Sequence, residues 1–203
     1  GSTDGTERVA RSYDARFAVR EFAGFGPQKQ HALELATGDW VLSLDADEEV
    51  SPELRRSIEA AVRAPGAAVA FRVERHSEYL GHWFGRRGWW RDRVVRLFRR
   101  DRGRFSDSPV HERVVVDGTV GRLEGPLLHY PYRDIAHHVD KINAYTTTMA
   151  RRRRERGRSA GALAPYARGV AKFVGVYILR GGFLDGRAGL IHAGLAVPCH
   201  RAT

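Results

Sequence analysis

Strand-length apolar runs alternate with helix-length amphipathic stretches through the first two thirds of the chain, and helical periodicity alone fills the last third. At the start, Ser2, Thr3 and Asp4 are good N-caps and Glu7 stands three residues after Asp4, which predicts a helix running to about Tyr13. Arg16–Arg20 predicts a short strand. Gly26-Pro27 opens a second helix through about Thr37, with Ala32, Leu33 and Ala36 as its small apolar face and Gly38 as its stop. Trp40–Leu44 has the length of a buried strand, and Ser51-Pro52-Glu53 starts a helix to about Arg63. Ala68–Arg75 reads as a strand, residues 76–93 as a loop rich in Gly, His and Trp, and Val94–Phe98, Arg113–Val116 and Leu127–Tyr130 as short strands. From Asp134, Ile135, Val139, Ile142, Tyr145 and Met149 recur every three or four residues. Val170, Phe173, Val174, Tyr177 and Ile178 form a second stripe, Gly181-Gly182 breaks it, and Leu190–Val197 is the last apolar piece.

This order predicts an α/β fold with a mainly parallel sheet flanked by helices, over residues 1–132, followed by a helical, basic extension over residues 133–203. A loop and helix like Gly1–Tyr13 normally follow a strand. The expectation is therefore an N-terminally truncated domain whose first strand–helix–strand unit, roughly 30 or more residues, is missing.

Composition narrows the class. Of 203 residues, 42% are hydrophobic and 10% aromatic, which supports a packed core and argues against disorder. The single cysteine, Cys199, rules out an internal disulfide and a multi-cysteine zinc site. The net charge of +10 is carried mostly by arginine, since Lys29, Lys141 and Lys172 are the only lysines. Such basicity favours anionic partners: nucleic acid, phospholipid headgroups or phosphorylated sugars. Arg151–Arg154, Arg156 and Arg158 form a cationic run, yet no nucleic-acid-binding motif accompanies it. No apolar run approaches the roughly 20 residues of a membrane-spanning helix.

The chemistry concentrates at residues 41–49. An apolar run ends abruptly in Asp45, Ala46, Asp47, Glu48 and Glu49, which places acids at the C-terminal mouth of a strand, where open α/β sheets bind ligands. Two carboxylates two residues apart suit a divalent cation that also grips phosphate oxygens. A solvated acidic turn before the next helix is the alternative. His129 follows an apolar run and reads as a satisfied, half-buried histidine.

Taken in order, several stretches resemble the family-2 glycosyltransferases of the GT-A fold, and more narrowly the bacterial branch that adds a sugar to the inner core of lipopolysaccharide. They are residues 1–6 (Gly-Ser-Thr-Asp-Gly-Thr), 24–30 (Gly-Phe-Gly-Pro-Gln-Lys-Gln), 45–48 (Asp-Ala-Asp-Glu), 105–112 (Phe-Ser-Asp-Ser-Pro-Val-His-Glu), 128–130 (Leu-His-Tyr) and 182–187 (Gly-Phe-Leu-Asp-Gly-Arg). The resemblance implies an inverting, metal-dependent transfer of a hexose from a nucleotide diphosphate sugar, UDP-glucose favoured, to a lipid-linked glycan. Asp47 would hold Mg2+ or Mn2+, with Asp45 facing metal or ribose, and Asp4, Gln28 and Lys29 would serve the donor. Glu112 is the first candidate for the base, with His111 and Asp107 as alternatives. Trp83, Trp89 and Trp90 offer flat faces to an acceptor sugar. The cationic, amphipathic last third would lie on an anionic membrane surface, which puts the protein on the inner face of the bacterial inner membrane; a packed helical hairpin or a dimer contact explains the same stripes. A basic nucleic-acid-binding module is the alternative function, as is an inactive fragment that retains only membrane association. The nucleic-acid reading leaves Asp45, Asp47 and the Gly26-Pro27-Gln28-Lys29 turn unexplained, so no nucleic-acid partner is expected.

Overall fold

The computed structural model describes residues 3–84, 92–106, 112–155, 157, 161 and 163–196. In chain order its elements begin with α1 (Thr6–Ser12), α2 (Phe25–Leu35), β1 (Trp40–Leu42), β2 (Glu48–Val50) and α3 (Pro52–Arg63). Then follow β3 (Ala68–Tyr79), β4 (His82–Trp83), β5 (Asp92–Arg99), β6 (Gly103–Phe105), β7 (Val114–Val116) and β8 (Thr119–His129). The last are α4 (Ile135–Glu155), α5 (Ala164–Val174), a π-type turn at Gly175–Leu179, a 3-10 turn at Gly182–Asp185 and α6 (Gly186–Leu195).

The sheet is mixed, not mainly parallel. Its strands hydrogen-bond in the order β1-β5-β3-β8-β2, with β4 on β3, while β6 and β7 form a separate ribbon. Antiparallel pairing sets Trp40 opposite Arg99, Glu48 opposite His129, Tyr79 opposite His82 and Phe105 opposite Val114. Parallel neighbours need a crossover of a dozen or more residues, and β3 and β4 have only a tight turn. Leu80 and Gly81 both take positive φ (51° and 79°), the conformation that a two-residue hairpin demands.

Other expectations shift for local reasons. Residues 16–20 form no strand, because alternation without a hydrogen-bonded neighbour leaves the backbone unpaired, and Val19 is 69% exposed. Helix α2 stops at Leu35, where Ala36 turns extended. The 76–93 loop is partly strand: β3 continues to Tyr79 and β4 returns, while Trp89 and Trp90 lie outside the described residues. Glu7 does not close a capping box; its carboxylate takes Arg11 instead. Among the described side chains of α4 the buried one is His138, whereas Ile135, Val139 and Tyr145 of the expected stripe are exposed.

The chain divides into two compact units, the first built from residues 1–43, 58–72 and 94–123, the second from 44–57, 73–93 and 124–203. Leu33, Ala70, Phe98 and Phe105 form the core of the first, ringed by Val41, Val95, Val114, Val116 and Val120. A side chain at Gly103 would enter the ring of Phe98, so this core leaves no room for a β-carbon there. In the second unit, Ser51 Oγ accepts the Leu54 N–H at 3.2 Å and starts α3, which seats Leu54 at 0% exposure. Gly125 (φ 84°) lets β8 pass against the first turn of α3, where any side chain would strike the Leu54 backbone.

Around Tyr79 the second unit holds an aromatic and imidazole cluster. The Tyr79 hydroxyl lies 2.8 Å from His138 Nδ1, and the His192 ring meets the Tyr79 ring edge-on at 5.2 Å. Burial, reinforced by His138 and Lys172, lowers the His192 pKa to about 4. The unfolded chain takes up this proton near pH 6.5 and the folded chain only near 4, so stability is full above 6.5 and falls as pH drops toward 4. Urea unfolding should show about 2 kcal/mol lost from this site between pH 7 and pH 5. A His192→Gln variant should have a smaller loss over the same interval; an unchanged pH dependence would assign the acid sensitivity elsewhere.

Candidate functional site

In the second unit the acidic stretch is a turn. Glu48 N–H donates to the Asp45 carbonyl at 3.1 Å, and Glu48 Oε2 accepts the Asp45 N–H at 3.1 Å. The Glu48 side chain is fully buried, and its other oxygen meets Arg75 Nη1 at 3.2 Å. Arg75 continues to Asp92, donating from Nη2 at 2.5 Å and Nε at 2.9 Å. The guanidinium thus takes two carboxylates at once, as its planar fork allows. Backbone and side chain together fix the turn that presents Asp45 and Asp47.

The β2/β8 register then brings β8's last residues to the turn. Tyr130 N–H donates to the Asp47 carbonyl at 2.8 Å. His129 Nε2 stands 3.6 Å from Asp47 Oδ2, longer than a hydrogen bond, and His129 Nδ1 is 2.9 Å from Ser77 Oγ. Burial, with the Arg75 charge adding to it, lowers the His129 pKa against the opposing pull of Asp47, Glu48 and Asp45. Its imidazole is therefore neutral at pH 7. The Asp47 side chain keeps 38% of its surface exposed, enough to meet a ligand. Arg75, Ser77, Tyr79, His129, Tyr132 and His192 line a cavity of about 210 Å³ in the same unit. Trp83 packs edge-on against Tyr130 at 5.3 Å.

In the first unit, Lys29 Nζ lies 2.6 Å from Glu112 Oε1, with side chains 21% and 14% exposed. Two residues nominated for separate roles are thus direct partners. Gln30 ties α2 to β6 by accepting the Phe105 N–H at 3.0 Å. Gln28 lines a cleft of about 540 Å³ with Arg16, Phe17, His31 and Leu35, and its buried Oε1 has no hydrogen-bond partner among the described residues. Asp4 sits in the exposed first turn before α1, where the Thr6 hydroxyl and N–H hold its carboxyl below the ordinary value. Asp107 and His111 lie outside the described residues.

A family model described as "Glycosyl transferase family 2" matches residues 1–116. The chain belongs to that family. It is 32% identical over 200 residues to "Lipopolysaccharide core biosynthesis glycosyltransferase LpsC" of Rhizobium meliloti, an alignment covering 95% of this chain and 74% of the relative. Uncharacterised glycosyltransferases of Rickettsia typhi and Rickettsia prowazekii are 27% and 26% identical, each alignment covering 94% of this chain and 69% of the relative.

For a family-2 glycosyltransferase the acidic turn has a definite chemical capacity. Among the described residues no three metal-ligating side chains gather into an all-protein cage. The exposed Asp47 carboxylate beside a neutral imidazole fits a cation that takes one or two protein ligands and fills its shell with water and phosphate oxygens. Sequence reasoning passed over Arg75 and Asp92. Arg75 follows Phe71 and Val73 at period two on the buried face of β3, and a cation in that position needs acids around it. His129 is half-buried and bonded, as expected, but it also borders Asp47.

Arg75→Met should leave the Glu48 carboxylate buried without its guanidinium and cost about 3 kcal/mol in urea unfolding. Arg75→Lys, which retains charge but not the fork, should cost less. Equal stability of Arg75→Met and the unaltered protein would show that the turn does not depend on this pair.

Proposed function

We propose that this glycosyltransferase moves a hexose, glucose in the favoured version, from a nucleotide diphosphate donor to the core of lipopolysaccharide or a related cell-envelope glycan, with inversion at the anomeric carbon. The observation that carries the reading is the buttressed acidic turn, with Asp47 exposed beside His129 and Asp45 held by Glu48. The similarity to LpsC supports the acceptor class. UDP-glucose is the favoured donor.

Asp47 and Asp45 are the residues to hold Mg2+ or Mn2+, which when bound neutralises charge on the departing diphosphate. Glu112 removes the proton of the acceptor hydroxyl as that oxygen bonds to the anomeric carbon and the carbon–phosphate-oxygen bond breaks. Lys29 orients the Glu112 carboxylate by their 2.6 Å contact. Gln28 and Asp4 serve the nucleotide, and Asp107 and His111 stand as alternative bases. An acceptor carried on lipid places the work at the inner face of a bacterial inner membrane, with the protein peripheral to it. Among the described residues no helix is long and apolar enough to cross a membrane.

Titration calorimetry with UDP and UDP-glucose tests the donor site. Binding in the presence of Mn2+ should disappear with EDTA and in Asp47→Ala. Glu112→Gln should keep nucleotide affinity within a few-fold yet lower turnover about 10²- to 10⁴-fold. Nucleotide binding indifferent to both EDTA and Asp47→Ala would sink the metal-dependent reading.

A further inference from the structure

Helix α5 has its polarity reversed relative to an ordinary surface helix. Leu163, Tyr166, Val170 and Val174 fall at spacings of three and four on one face, and they are 79%, 74%, 65% and 37% exposed. Ile178, Leu179 and Phe183 carry the exposed apolar surface onward, at 54%, 70% and 51%. Arg168 and Lys172 lie on the opposite face and are half-buried, Lys172 close enough to His192 to depress its pKa. The apolar stripe expected from sequence therefore divides. Phe173 and Tyr177 turn inward and stack at 5.2 Å, Val176 is 3% exposed, and the others face outward.

The charges around this face are one-sided. Between residues 163 and 196 the cations are Arg168, Lys172, Arg180 and Arg187, and Asp185 is the single acid. The Asp185 carboxylate is mostly buried and bonded to His82 Nε2 at 2.8 Å. Arg180 and Arg187 are exposed. The same stretch of a second copy would bring the same four cations and no acid beyond the mostly buried Asp185. An anionic bilayer offers both an apolar layer and counter-charge.

We infer that the outer face of α5, with the turns that follow it, lies in the headgroup region of an anionic lipid bilayer. The inference rests on the proposed function only for the lipid-carried nature of the acceptor. Lipid binding itself needs no donor, acceptor or metal, so its failure and the failure of sugar transfer are read separately.

The full chain is sedimented with vesicles of phosphatidylcholine alone and with vesicles that also contain phosphatidylglycerol. Binding is expected to the second and to weaken as salt rises. Val170→Asp and Ile178→Asp should each lower the partition coefficient roughly tenfold or more, and Arg187→Gln roughly fivefold. Thermal unfolding should stay unchanged because these side chains are exposed. Failure to sediment with anionic vesicles, or sedimentation of Val170→Asp equal to that of the unaltered chain, would overturn the inference. So would a dimer in solution that ignores vesicles and that Val170→Asp dissolves, which would assign the face to a second copy.

Discussion

A carboxylate without solvent must be met by donors or by charge, and Glu48 is that carboxylate in the second unit. One oxygen receives the Asp45 N–H and the other receives Arg75, so a single side chain joins the turn to β3. Antiparallel pairing of β2 with β8 then places His129 opposite Glu48 and beside Asp47. The presented acids are consequently held from three directions: by their own turn, by a guanidinium and by a neighbouring strand. Preorganisation of this kind lets a site meet a charged ligand without reorganising its own dipoles.

The first unit solves a different problem. Its small core of Leu33, Ala70, Phe98 and Phe105 fixes α2 against β6, and the Gln30–Phe105 hydrogen bond fastens the same pair of elements. Lys29 and Glu112 meet on this platform, each mostly shielded from water. Glu112 beside Lys29 and Glu48 beside Arg75 follow the same pattern: each carboxylate is held by an opposite charge.

Much of this was legible in the residues, and the exceptions are instructive. Helix α3 was readable because Ser51, Pro52 and Glu53 each favour a helix start by local means, and Ser51 Oγ does cap Leu54. Asp45 and Asp47 were readable as acids gathered at a strand end, and the structure holds them in a turn that Glu48 braces. The sheet's mixed direction was not, because pairing partners are chosen by long-range contacts that periodicity does not encode. Glu48–Val50 looked like a flank of the acidic loop, yet β8 recruits it as a strand. Residues 16–20 show the converse, strand-like alternation with no strand formed. The α5 stripe was detectable as apolar, but periodicity alone does not say which of its members find a partner: Phe173 stacks on Tyr177 while Val170 and Val174 stay exposed.

Gly182 and Gly189 meet so closely that a β-carbon on Gly189 would overlap the Gly182 carbonyl oxygen. The 3-10 turn and α6 are therefore packed backbone to backbone, at a separation that no other residue type permits. This makes the pair a ruler for reading related chains. A homologue with glycine at both places can close the turn as here. One with any side chain at the second must part the helix from the turn that carries Asp185. The glycine at position 189 thus records, in a bare sequence, whether a relative can keep this junction.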